Sequence, residues 1–321
     1  MRWKQRGTDD AAAVVTYHLP DEPSGYPTTD TLTRSTMTQS PSSTEPSLPT
    51  AVYAQQDGGW LPSVLSRGPW DPRAQHGGAP SALLAHLAES ALPEPGWQLA
   101  RLSVELIKPV PVAPLTVRQQ THPGRSTTRM TIDLYADDAL VARAHALLVR
   151  GQAFELPPAL PGWSPAQLLP HPSECSEGVR IPGMPTGVSF HQSAMDHRVA
   201  QGDITRPGPA AAWFRLTVPL VQDQPTSPAM RAAAAADFGN GLSWVLPLDR
   251  FLFANADLSL HLHRPPEGEW IGLMSETQAH GGGVGTTLSR LYDVQGPIGV
   301  AVQTLVLRER TPSPLAPAQP R

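Results

Sequence analysis

The chain has 321 residues, a net charge of −4 and only 16% charged residues, so it offers no basic field suited to nucleic acid or an anionic membrane surface. A single cysteine, Cys175, excludes an intrachain disulfide framework and a multi-cysteine metal site, and it fits a reducing cytoplasm. No apolar run approaches the ~20 residues of a membrane span, and the short apolar stretch after "MRWKQRG" does not make a signal peptide, so a soluble, cytoplasmic protein is expected.

In chain order, residues 1–48 are rich in Ser, Thr and Pro and nearly free of aliphatic side chains. Such a segment cannot offset the entropy of ordering, and a disordered tail is predicted there. A first structured block spans 49–153. It opens with a helix over "GGAPSALLAHLAESAL", where Leu83, Leu84, Leu87 and Leu92 recur at helical spacings. Alternating strands follow across residues 103–150. Residues 154–186 are proline-rich and suit a linker packed along a surface. Cys175 lies within it beside acidic residues, which disfavour a reactive thiolate.

The second block, 187–310, repeats the plan. Its helix is predicted in "SPAMRAAAAADFGNG", with Pro228 in the first turn and Asn240-Gly241 as the stop. Strands follow over 259–310, and residues 311–321 form another proline-rich tail. The two strand regions align internally. "SVEL" and "SLHL" are each broken by a basic residue and proline, and each block then has a glycine turn, a strand ending in Leu-Tyr-acid and a long apolar strand ending in Arg150 or Arg308. This pattern reads as an internal duplication, with His145 falling opposite Gln303 when counted back from those arginines. One helix ahead of several long antiparallel strands, twice over, predicts a sheet wrapped around central helices. The run of alanines at 232–236 then supplies the small side chains that close packing needs.

These features together resemble the tandem (double) hotdog fold of type II acyl-CoA thioesterases, the TesB-like family, over residues 50–310. The resemblance is carried by "QHGGAPSALLAH", "VELIKPVPVAPL", "AAADFGNGL", "DLSLHLHRPP", "SRLYDVQG" and "VAVQTLVLR" in that order. It implies an α+β fold and hydrolysis of acyl-CoA or acyl-carrier thioesters. It also implies a water held jointly by an Asp on the second helix, a Thr before the "HRP" strand and a Gln on the last strand. Asp237 and Gln303 match two of these positions, and Asn255 stands where the family places the threonine. An amide offers an acceptor and two donors, so asparagine can hold a water, but it lacks the hydroxyl. The resemblance further implies a homo-oligomer formed through sheet edges and no cofactor.

For the chemistry, a carboxylate buried at a helix C-terminus is expected to have a raised pKa, which suits Asp237 to act as general base while Gln303 orients the water. The N–H groups of Gly77 and Gly78, at the start of the first helix, are candidate oxyanion donors. His76 either faces the substrate channel or serves as a helix-entry residue. Arg264 either pairs with coenzyme phosphates or caps a strand edge. His261 and His263 share a strand face, but no third metal ligand is evident. "HGGGVGTT" lacks the lysine of a phosphate-binding loop and reads as a turn. Two other functions compete. A hydratase or dehydratase would need a working Asp196-His197 pair, yet neighbours on a strand point to opposite faces. A non-catalytic acyl-binding protein is the other, kept open by Asn255.

Overall fold

The computed structural model describes residues 48–92, 94–155, 168–178 and 186–310. The proposed N-terminal tail up to residue 47, the tail over 311–321 and the greater part of the proline-rich segment 154–186 lie outside the described residues.

The elements run in chain order as β1 (Tyr53–Gln56), β2 (Gly59–Pro62), α1 (Gly78–Ser90), β3 (Trp97–Leu106), β4 (Leu115–His122), β5 (Thr127–Ala136), β6 (Ala139–Arg150), β7 (Ser176–Glu177), β8 (Met195–Gln201), β9 (Ala210–Leu216), α2 (Pro228–Ala236), α3 (Gly239–Leu242), β10 (Phe251–Asn255), β11 (Asp257–Leu262), β12 (Ile271–His280), β13 (Val284–Asp293) and β14 (Gly296–Glu309). They form one antiparallel sheet in the order β1-β2-β4-β5-β6-β3-β11-β14-β13-β12-β9-β8-β7, with β10 also paired to β14. Strand β13 shows the governing pattern: Gly285, Thr287, Ser289 and Leu291 are buried while the residues between them are exposed. That period of two puts one face of the sheet on the helices and the other outward.

The order is symmetric about the β3–β11 seam, as a duplication requires. Ser103 and Ser259 face each other there, and the Ser259 hydroxyl donates to the Ser103 hydroxyl at 3.2 Å. The register corrects one expectation. Ser103 pairs with His145 on β6, and Ser259 pairs with Val302 on β14, so His145 corresponds to Val302. Gln303 therefore corresponds to Ala146. Counting from the terminal arginines misses this one-residue offset, and in strands such a slip exchanges the faces. His145 is accordingly exposed and Gln303 buried.

Helices α1 and α2 lie together in the hollow of the sheet and run antiparallel. At one end the Ser227 hydroxyl donates to Glu89 Oε2 at 2.5 Å; at the other, Asp237 meets Gly77 and Gly78. Ala232 to Ala236 are all fully buried, so the alanine run does serve close packing. A Cβ on Gly78 would sit 2.5 Å from the Ala234 carbonyl oxygen, an approach only glycine allows. Enlarging such a packed position typically costs about 1–3 kcal/mol.

Helix α2 begins as expected, with Ser227 accepting from the Met230 N–H and Pro228 in the first turn. Its end differs. The helix stops at Ala236, and Asn240-Gly241 falls inside the short α3, where the Ser243 hydroxyl donates to the Gly239 carbonyl at 2.9 Å. Part of the proline-rich segment packs on the outer face of the second half. Leu169 joins Ala211, Trp213 and Tyr292 in a small cluster, and the Trp213 Nε1–H donates to the Pro170 carbonyl at 2.8 Å.

Candidate active site

Because α2 ends at Ala236, Asp237 becomes its C-cap and points back toward the start of α1. Its side chain is 4% exposed. The amide of Asn255, at the end of β10, donates to Oδ1 at 2.6 Å. The Gln303 amide, from the buried face of β14, donates to the Asp237 carbonyl at 3.1 Å and lies 3.5 Å from Oδ1. The structure thus brings Asp237, Asn255 and Gln303 into one cluster.

Two further residues belong to it. Asn240 is half-buried in α3 and fixes both amides: its side chain donates to Asn255 Oδ1 at 2.5 Å and its backbone N–H donates to Gln303 Oε1 at 3.1 Å. Sequence reasoning spends Asn240 on a helix stop, although its place three residues after Asp237 puts it on the adjoining turn. The second is His76, whose Nδ1 lies 3.0 Å from Asp237 Oδ2. The Gly78 N–H also lies 3.1 Å from that nitrogen. Nδ1 cannot both accept from Gly78 and donate to the carboxylate. A lone pair set against a charged oxygen would be repulsive, so we assign the proton to Nδ1, donating to Asp237, with the Gly78 N–H shared toward the carboxylate.

This arrangement reverses the expected direction of the Asp237 pKa. Burial pushes it up, but His76, the Asn255 amide and the Gly78 N–H outweigh burial and hold it below the ordinary Asp value. The α2 dipole disfavours charge here. The N-terminus of α1, from the other half of the chain, supplies a favourable one at the same point.

Two other expected site residues, Gly78 and Arg264, have partners within the fold. The Gly78 N–H is directed at His76 and Asp237, so of the two glycines only Gly77 keeps an N–H without an acceptor among the described residues. Arg264 is committed to structure: it grips Asp293 through two bonds of 2.5 and 2.6 Å and donates to the Pro297 and Gly296 carbonyls. The Asp293 side chain is wholly buried, so of the two readings of Arg264 the pairing supports the structural one.

Known proteins give the arrangement its context. Residues 66–149 match the acyl-CoA thioesterase N-terminal domain and residues 166–307 match the acyl-CoA thioesterase C-terminal domain, together well over half of the chain. The chain belongs to the acyl-CoA thioesterase family. It is a thioester hydrolase with a double hotdog fold. A candidate thioesterase of Novosphingobium aromaticivorans superposes with a TM-score of 0.64 at 20% identity, covering 80% of this chain and 98% of that one. A hot dog fold protein of unknown function from Alicyclobacillus acidocaldarius gives 0.60 at 17% identity, with 82% and 97% covered. Acyl-CoA thioesterase II TesB2 from Mycobacterium marinum gives 0.53 at 16% identity, with 79% and 98% covered. These likenesses concern the fold. No curated protein matches the chain.

Around the thioesterase cluster stands a group of rings that periodicity alone does not reveal. His76 stacks on Phe238 with centroids 4.5 Å apart and tilts against Phe190 at 5.4 Å. His191 and His197 approach Phe238 at 5.8 and 5.7 Å. Burial, with a smaller contribution from the neighbouring imidazoles, lowers the His191 pKa to about 4 and the His197 pKa to about 3. Both are therefore neutral at neutral pH. Asp196 points away from His197 and pairs with Arg215 at 3.1 Å and Arg198 at 3.6 Å, so the two do not form a hydratase-like dyad. Among the described residues no three His, Cys, Asp or Glu side chains are placed to hold a metal, and no helix is long and apolar enough to cross a membrane. Burial and Glu174 raise the Cys175 pKa, which keeps that thiol protonated.

Proposed function

We propose that the protein hydrolyses acyl-CoA or acyl-carrier thioesters to a free acid and a thiol, using a water activated at Asp237 and positioned with the help of Gln303 and Asn255. The observation that carries this reading is the buried, charged Asp237 held between the Asn255 amide and His76, within a chain of the acyl-CoA thioesterase family. A thioester carbonyl is already electrophilic. The site has only to orient a water, take up its proton and shelter the developing oxyanion, for which the Gly77 N–H is the available donor. The expected setting is fatty acyl turnover in the cytoplasm, with copies joined through sheet edges.

The test is free-thiol release from a panel of acyl-CoAs of different chain length. Asp237→Asn should lower the rate by about 10²- to 10⁴-fold, the usual worth of acid–base catalysis. An unchanged rate in that variant overturns the assignment. Binding without turnover would instead select a non-catalytic acyl-binding protein, and hydration of an enoyl-CoA without thiol release would select a hydratase.

A further inference from the structure

We propose that His76, rather than an oxygen of Asp237, takes the proton from the attacking water, with Asp237 as the residue that positions and polarises it. This rests on the thioesterase reading above and specifies its base. Asp237 is poorly placed for the task. Its side chain is 4% exposed, Oδ1 receives the Asn255 amide and Oδ2 receives His76. The imidazole keeps more exposure, 12%. With its proton on Nδ1 toward Asp237, His76 carries a lone pair on Nε2. That nitrogen makes no hydrogen bond among the described residues, and it is not one of the enclosed, partnerless imidazole nitrogens, which are His191 Nδ1 and His197 Nε2. The free lone pair of the dyad therefore meets solvent.

Few of the groups around His76 are charged. Asp237, at the end of α2, is the charged group facing His76. His191, in the turn Phe190–Ala194, and His197, on β8, are neutral, and Phe190 and Phe238 carry no charge. In the reaction the water oxygen bonds to the thioester carbon while its proton moves to Nε2. The tetrahedral intermediate then collapses: the carbon–sulfur bond breaks, the thiolate receives the proton back from Nε2, and acid and thiol leave.

The test compares His76→Asn with Asp237→Asn by thiol release. The asparagine amide nitrogen occupies nearly the place of Nδ1, so it keeps a donor to Asp237 while removing the Nε2 lone pair. The proposal expects kcat to fall about 100-fold with KM and thermal stability nearly unchanged, and expects added imidazole to restore part of the rate. A His76→Asn enzyme with wild-type kcat, alongside an inactive Asp237→Asn, would overturn it and leave Asp237 as the direct base. If His76→Asn does not fold, His76→Gln is measured in its place: a kcat about 100-fold below wild type, partly restored by added imidazole, is expected, and wild-type kcat overturns the proposal. Should wild type release no thiol, or Asp237→Asn keep full rate, it is the thioesterase reading that fails.

Discussion

Gly77→Ala is the smallest change that reaches Asp237 without touching a polar group. Gly77 has φ −57° and ψ −24°, helical values that alanine adopts freely, so no backbone strain accompanies the change. The added Cβ would lie 2.8 Å from Asp237 Oδ2, 2.9 Å from Oδ1 and 3.1 Å from Cγ, whereas ordinary contact begins near 3.4 Å. The carboxylate would have to retreat by about half an ångström. It is held by Asn255 at 2.6 Å and His76 at 3.0 Å, and a movement of that size cannot preserve both bonds.

Losing one hydrogen bond to a charged group costs about 1.5–3 kcal/mol. Expressed in the reaction barrier, that is roughly a 10- to 150-fold fall in kcat/KM. Folding should change less, because alanine regains up to about 1 kcal/mol of helix preference over glycine. The assay is thiol release alongside thermal unfolding, with Gly241→Ala as control, since a Cβ there meets nothing within 4 Å. Wild-type kcat/KM in Gly77→Ala would show either that the carboxylate is free to move or that the reaction does not use it. Both outcomes refute the reasoning.

Other changes separate structure from chemistry. Arg264→Gln leaves the buried Asp293 without its partner and should cost about 3 kcal/mol, seen as a Tm lower by roughly 6–12 °C, while KM for acyl-CoA stays unchanged. Asn255→Leu removes the 2.6 Å donor to Asp237 and should lower kcat about 10- to 100-fold, whereas Asn255→Thr, with a hydroxyl able to work through a water, should stay within about tenfold of wild type. For pH, the folded pKa values of Asp237 and Asp293 lie below the ordinary 3.8. Their stabilisation is present above that value and fades as pH falls through the folded pKa, which thermal unfolding between about pH 2 and 5 should register. Glu89 has the opposite sign: burial raises its pKa above the ordinary 4.5, so stability is lost as pH rises through its folded value. Glu89→Gln should accordingly gain stability over wild type at pH above 4.5, with the gap closing below it.

The strands within residues 103–150 and 259–310 and both helices were legible because their signals are local: alternation in β13, leucine spacing in α1, Ser227-Pro228 at the start of α2. Motif order put Gln303 on the last strand and Asp237 on the second helix, where the structure has it as the C-cap that follows Ala236. What sequence could not supply is the partner of each charge. The expected rise in the Asp237 pKa considered only burial and its own helix, while the deciding groups, His76 and the Gly78 N–H, lie about 160 residues away in the chain. Arg264 had two open readings until Asp293 was found beside it. Asn240 was hidden by a local rule, since Asn-Gly ends helices so often that α3 was not expected.

The duplication also accounts for there being one carboxylate cluster of this kind among the described residues. Two antiparallel helices related by the seam present two equivalent ends, each joining the last turn of one helix to the first residues of the other. At one end Asp237 meets His76, Gly77 and Gly78; at the other Glu89 meets Ser227. Asp237 is buried and Glu89 partly buried, yet their pKa values move in opposite directions. The difference lies in what surrounds them. Asp237 has an imidazole, an Asn amide and a backbone N–H, with Gln303 beneath it; Glu89 has one hydroxyl, and the counterpart of Gln303 is Ala146. A carboxylate with that many donors remains charged in the interior and can hold a histidine ready, whereas one with a single neutral donor drifts toward the protonated form. The twofold fold supplies two places for the chemistry, and the side chains equip one of them.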